Sequence, residues 1–94
     1  MRIQKRLKAV SDELERTKQE LQVAGEQLSF QTDVATDAEN LKVVSETPLA
    51  NRDSSEAQRD LENIRKHYER LRQRIETLRK DQDRLLDQMS ERPS

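Results

Sequence analysis

From Leu61 to Met89 the chain repeats one spacing. Leu61, Ile64, Tyr68, Leu71, Ile75, Leu78, Gln82, Leu85 and Met89 follow one another at intervals of three and four, and nearly everything between them is charged or polar. This is the a/d seam of a coiled coil. A helix with so narrow an apolar stripe is not stable alone in water, so the rest of the chain must be read for what covers it.

The first half carries heptads of its own at Ile3, Leu7, Val10, Leu14, Thr17, Leu21, Ala24 and Leu28, broken only by Thr17. Asp12 with Arg16, Glu62 with Lys66 and Glu76 with Lys80 stand four apart in the favourable order for helix-surface pairs. Such pairs contribute a few tenths of a kcal/mol each, so they mark solvated faces and do not drive folding. Beyond Leu28 a second stripe takes over, one residue behind the first, formed by Val23, Phe30, Val34, Leu41 and Val44. Gly25 lies at the change of frame. Glycine costs roughly 1 kcal/mol inside a helix relative to alanine. It either lets the helix bend and slip there or is a tolerated surface glycine.

The helical pattern breaks at Ser45-Glu46-Thr47-Pro48-Leu49-Ala50-Asn51-Arg52-Asp53-Ser54. Pro48 has no place in a helix interior and disfavours helix at Thr47. Two restarts are open: Thr47 as cap with Pro48 as first helical residue, or Asp53 as cap with Glu56 three residues on, in a capping-box arrangement. With the second, helix 1 runs over about residues 2–45, the turn over 46–53 and helix 2 over 54–90. Residues 91–94, which include Pro93, are expected to fray.

A short connection makes the two helices antiparallel neighbours. Partners whose numbers total 99 give the layers Leu28–Leu71, Ala24–Ile75, Leu21–Leu78, Leu14–Leu85 and Val10–Met89, and set the polar Thr17 against the polar Gln82. Such a polar pair fixes register at some cost in stability. Nearer the turn a total of 98 gives Phe30–Tyr68, Val34–Ile64 and Leu41–Ala57. The expected fold is therefore an all-α, antiparallel two-helix coiled-coil hairpin forming a single domain. Burying about a dozen aliphatic side chains at roughly 1.5–3 kcal/mol each barely offsets the ordering of the chain. Dimerisation into a helical bundle, or docking on a larger protein, is expected, with Val23, Phe30, Val34, Leu41 and Val44 as the contact surface.

The composition fits this reading. Only 31% of the 94 residues are hydrophobic and 39% are charged, yet 18 basic side chains nearly cancel 19 acidic ones, whereas disorder usually brings a high net charge. The balance argues against a dedicated nucleic-acid binder. The sequence has no cysteine, which excludes disulfides, thiolate metal sites and thiol nucleophiles. It has no apolar run near the length of a membrane span, and its basic start leads into an amphipathic helix unlike a signal peptide. A cytoplasmic setting without membrane contact is expected, the nine acidic residues before Pro48 making membrane-surface binding a poor fit.

Chemistry is sparse. His67 is the one histidine and has neither the partners of a metal site nor those of a catalytic triad. One glycine cannot form a phosphate-binding loop. No catalytic residue, cofactor or metal is expected, and the chain reads as a non-enzyme. Arg59 to Lys80 holds eight basic residues against four acidic ones, a patch for an acidic partner or simply a heptad flank. At the expected tip stand Glu46, Asp53 and Glu56. Their placement resembles, in shape alone, the hairpins of Gre-type and DksA-type transcription factors. That likeness implies an alternative role as a bacterial regulator acting on RNA polymerase or the RNA machinery through the tip and the basic part of helix 2. The plain alternative is that Asp53 and Glu56 cap a helix.

Val44-Ser45-Glu46-Thr47-Pro48-Leu49-Ala50, followed by Arg52 and later by Asp81-Gln82-Asp83-Arg84-Leu85-Leu86-Asp87, resembles a group of short actinobacterial coiled-coil proteins. These carry a "SETPLA" turn and an "RQDELLDRL"-like ending. The resemblance runs over residues 20–90, departs at Lys80 and Arg84, and implies a bacterial hairpin without implying an activity. The function expected is a coiled-coil interaction or scaffold module that associates with itself or with a larger protein.

Overall fold

The computed structural model describes residues 2–90, so the fraying expected of residues 91–94 lies outside the described residues. It contains two helices, α1 (Arg2–Ser45) and α2 (Pro48–Ser90), packed antiparallel as a hairpin.

The turn between them is two residues long, not eight. Lys42 O accepts from Glu46 N at 3.0 Å, and Glu46 holds φ 51°. A left-handed residue just past the helix, with its N–H returned to a carbonyl four residues back, is the simplest helix-terminating motif. Thr47 then opens α2. Its Oγ1 accepts from Ala50 N at 3.1 Å and its carbonyl from Asn51 N at 3.0 Å. This is N-cap geometry. Pro48 explains why Thr47 caps and Asp53 does not. The proline holds Thr47 in the extended region that a cap needs, and its own fixed φ already suits the first helical position. Capping at Asp53 would also strip Ala50, which is buried, of its place in the helix. Asp53 and Glu56 are instead exposed residues inside α2, and Glu56 accepts from Arg52 Nε at 3.1 Å.

Turn length sets register. A centre between residues 46 and 47 places partners whose numbers total 93, where a turn over 46–53 would give 99. The contacts follow the shorter turn. Two compact units make up the described chain, one being Gln22–Glu69 and the other the remaining parts of the two helices. In the Gln22–Glu69 unit the pairs Glu39 with Ser54, Ala35 with Gln58, and Gly25 with Tyr68 each total 93. In the other, Gln82 donates to Ser11 Oγ at 3.1 Å, again a total of 93. The two registers expected, 99 and 98, are both replaced by this one.

The frame does not change at Gly25 either. In the Gln22–Glu69 unit the seam of α1 continues through Ala24, Leu28, Gln31, Ala35 and Ala38, all buried or half-buried. Ala35, Ala57 and Leu61 form its core, with Leu28 and Ala38 against them. Small residues at Ala24, Ala35, Ala50, Ser54 and Ala57 let the backbones approach. The approach is close enough for side-chain amides to reach across, with Gln31 Nε2 donating to Ala57 O at 3.1 Å and Gln58 Nε2 to Ala35 O at 3.4 Å. Ser54, almost fully buried, donates to Glu39 Oε2 at 2.9 Å, so its hydroxyl is satisfied. The layers Phe30–Tyr68, Val34–Ile64 and Leu41–Ala57 therefore do not form.

In the other unit Leu14, Ile75 and Leu78 make the core, with Val10 and Leu21 packed on it. Thr17 is buried there but is not the partner of Gln82. It donates to Glu13 O of its own helix at 2.8 Å, leaving Gln82 to bond Ser11. The expected polar register pair is thus two separate arrangements, because the shorter turn slides α2 by six residues relative to α1. Glu13 also accepts from Arg74 across the helices, at 3.2 Å from Nε and 2.5 Å from Nη2. Both side chains are more than one-third exposed, so this pair is worth at most about 1 kcal/mol.

Candidate interaction surface

With the seam of α1 in the Gln22–Glu69 unit running through Ala24, Leu28, Gln31, Ala35 and Ala38, its other large apolar side chains are left outside. Val23 is 53% exposed, Phe30 69%, Val34 36%, Leu41 54% and Val44 82%. All five were expected as a contact surface, and all five lie on the Gln22–Glu69 unit. They sit at the same heptad spacing as the seam but one residue earlier, so α1 carries two parallel stripes there and spends only one on α2. Val43 and Leu49 are also exposed, beside the turn. A single exposed leucine is ordinary, whereas a row of large aliphatic and aromatic residues at helical spacing is an unpaired packing face. A shallow groove beside Phe30 is lined by Glu26, Gln27, Gln31 and Ile64.

The charge around this stripe is one-sided. Residues 22–69 hold ten acidic and five basic side chains, a net of −5, against nine acidic and thirteen basic elsewhere, a net of +4. Glu26, Asp33 and Asp37 lie within one helical turn of the stripe residues on α1. The register, totalling 93, sets Arg59 opposite Val34 and Arg52 opposite Leu41, with Asp60 and Asp53 one residue further along α2. All five carboxylates are exposed, and among the described residues none of them is in an ion pair. Three of the five cations of this unit are engaged with other carboxylates. Lys42 pairs with Glu39, Arg52 with Glu56 and Arg65 with Glu62.

The expected tip residues are not brought together as a cluster. Glu46 occupies the turn itself, held in the left-handed conformation, while Asp53 and Glu56 belong to the body of α2. Among the described residues there is no group of three or more histidine, aspartate or glutamate side chains placed to hold a metal, and no helix long and apolar enough to cross a membrane. His67 is exposed. Comparison with protein-family models, with curated proteins and with solved structures gives no match.

What the sequence did not reveal is the acidic rim as a unit. Asp53 and Asp60 join Glu26, Asp33 and Asp37 only once the register is known, because they come from the other helix. The signal available in sequence was the imbalance of residues 22–69, which the near-neutral whole-chain charge hides.

Proposed function

We propose that the chain is a non-enzymatic helical interaction module, whose hairpin presents the stripe Val23, Phe30, Val34, Leu41 and Val44 for another helix to cover. The observation that carries this reading is the exposure of that stripe beside an alanine-rich seam. Fully covering such side chains is worth roughly 1.5–3 kcal/mol each, enough to drive association once the entropy of docking is met. A second copy of the chain and a different protein are the two ways to cover it. A role at the transcription machinery through the tip has less support, since Asp53 and Glu56 do not project from a turn.

Sedimentation of the intact chain, alone and with a synthetic leucine-zipper helix, tests the reading. The wild-type chain is expected in a complex in at least one of the two conditions. The double variant Phe30→Asp with Val34→Asp is expected to keep its helicity and to remain a monomer in both. A wild-type chain that stays monomeric throughout, or a variant that associates equally well, would overturn it.

A further inference from the structure

We infer that the partner covering this stripe is an amphipathic helix with basic flanks, supplied by a protein other than this chain. The inference rests on the interaction-module reading above and adds the chemistry of the occupant.

The stripe spans residues 23–44, three heptads, so the helix it takes is of about that length, roughly 30 Å at 1.5 Å per residue. Its apolar face meets Val23, Phe30, Val34 and Leu41. Its flanks then fall on Asp33 along one edge and on Asp60 along the other, while Asp37 stands in the line of the stripe between Val34 and Leu41, all three exposed and none in an ion pair among the described residues. Lysine or arginine at those flanks meets opposite charge on both sides. Glutamate there would add like charge to a unit already at −5.

A second copy supplies one requirement or the other but not both. Packed antiparallel, two stripes pair well on their apolar side chains, Val23 with Leu41 and Phe30 with Val34. The same two-fold arrangement sets Asp33 close to its own symmetry mate and brings two acidic units together. The basic unit of a second copy has the opposite charge, but its only large exposed hydrophobic residues among those described are Leu86 and Met89, too few to fill three heptads. A helix that combines an apolar stripe with basic flanks satisfies both.

The test uses the intact chain and two synthetic 21-residue helices with leucine at positions a and d. One carries lysine at the flanking positions, and its twin carries glutamate at the same places. Binding is read by fluorescence anisotropy. The lysine helix is expected to bind saturably and its twin on the order of 100-fold more weakly. The triple variant Asp33→Asn, Asp37→Asn, Asp60→Asn is expected to lose about tenfold for the lysine helix, at unchanged helicity by circular dichroism. Phe30→Ser with Val34→Ser is expected to lose about 100-fold or more. Equal affinity for the twins, or no change in the triple variant, would overturn the basic-partner inference while leaving the module reading intact, provided the Phe30 and Val34 variant still fails to bind. If that variant binds as well as wild type, the module reading itself falls. A wild-type dimer that depends on Phe30 and Val34 and is not displaced by the lysine helix would make the second copy the occupant and also overturn the inference.

Discussion

Replacing Ala35 by leucine distinguishes the seam found in the structure from the more hydrophobic one beside it. Ala35 is 2% exposed and packs with Ala57 and Leu61, while its neighbour Val34 is 36% exposed. Three added carbons have no space at position 35, and overpacking a close-packed site costs about 1–3 kcal/mol. Spreading the helices to make room would also stretch the bonds from Gln31 to Ala57 O and from Gln58 to Ala35 O, at 3.1 and 3.4 Å. Each is worth of order 1 kcal/mol, discounted because water can replace it at these half-open sites. A net loss of about 2 kcal/mol is expected, which for a domain of this size lowers the Tm by about 8–16 °C. Circular dichroism melting of Ala35→Leu beside Val34→Thr measures it, with Val34→Thr expected to stay within about 0.5 kcal/mol of wild type. If position 35 tolerated leucine while Val34→Thr lost several degrees, the seam would run through Phe30 and Val34 and the exposed stripe would not exist.

Four further changes probe the turn and the helix interior. Glu46→Gly relieves a left-handed residue and is expected to stabilise the hairpin by about 1 kcal/mol in thermal melting; a loss would mean that the left-handed turn is not the native one. Thr47→Ala removes the acceptor for Ala50 N and is expected to cost about 1 kcal/mol, whereas Asp53→Ala, a surface change within α2, shifts stability by less than about 0.5 kcal/mol. Urea midpoints in the reverse order would restore Asp53 as the cap. Gly25→Ala places a methyl at ordinary contact distance, 3.5 Å, from Tyr68 Cε2 and is expected to stabilise by about 0.5–1 kcal/mol. A destabilised Gly25→Ala would show that the glycine is needed for bending.

Both helices, their antiparallel packing and the location of the turn were legible because leucine heptads and an internal proline are strong local signals. Register was not, for one reason. Thr47 before Pro48 and Asp53 before Glu56 are both lawful caps, and choosing between them moves every layer by six residues. The frame of α1 past Leu28 was lost for a different reason. Gln31, Ala35 and Ala38 add little hydrophobicity, so the eye follows Phe30, Val34 and Leu41, although close helix approach favours the small side chains. Those same large residues were legible as a contact surface, because a stripe at heptad spacing keeps its meaning whether it faces α2 or solvent. Glu46 gave no sign of its conformation, since glycine or asparagine is the usual occupant of such a position.

Cysteine trapping tests the single two-residue-turn register most directly, because the native sequence contains no thiol to interfere. Ala35→Cys with Ala57→Cys joins two residues of one core cluster, whereas Leu41→Cys with Ala57→Cys joins a pair that the longer turn would have placed together. On mild oxidation the first variant is expected to form an intramolecular disulfide, seen as a faster band on a non-reducing gel at monomer mass, and the second is expected to stay reduced. The opposite pattern would contradict the register, and with it the exposed stripe on which the proposed function stands.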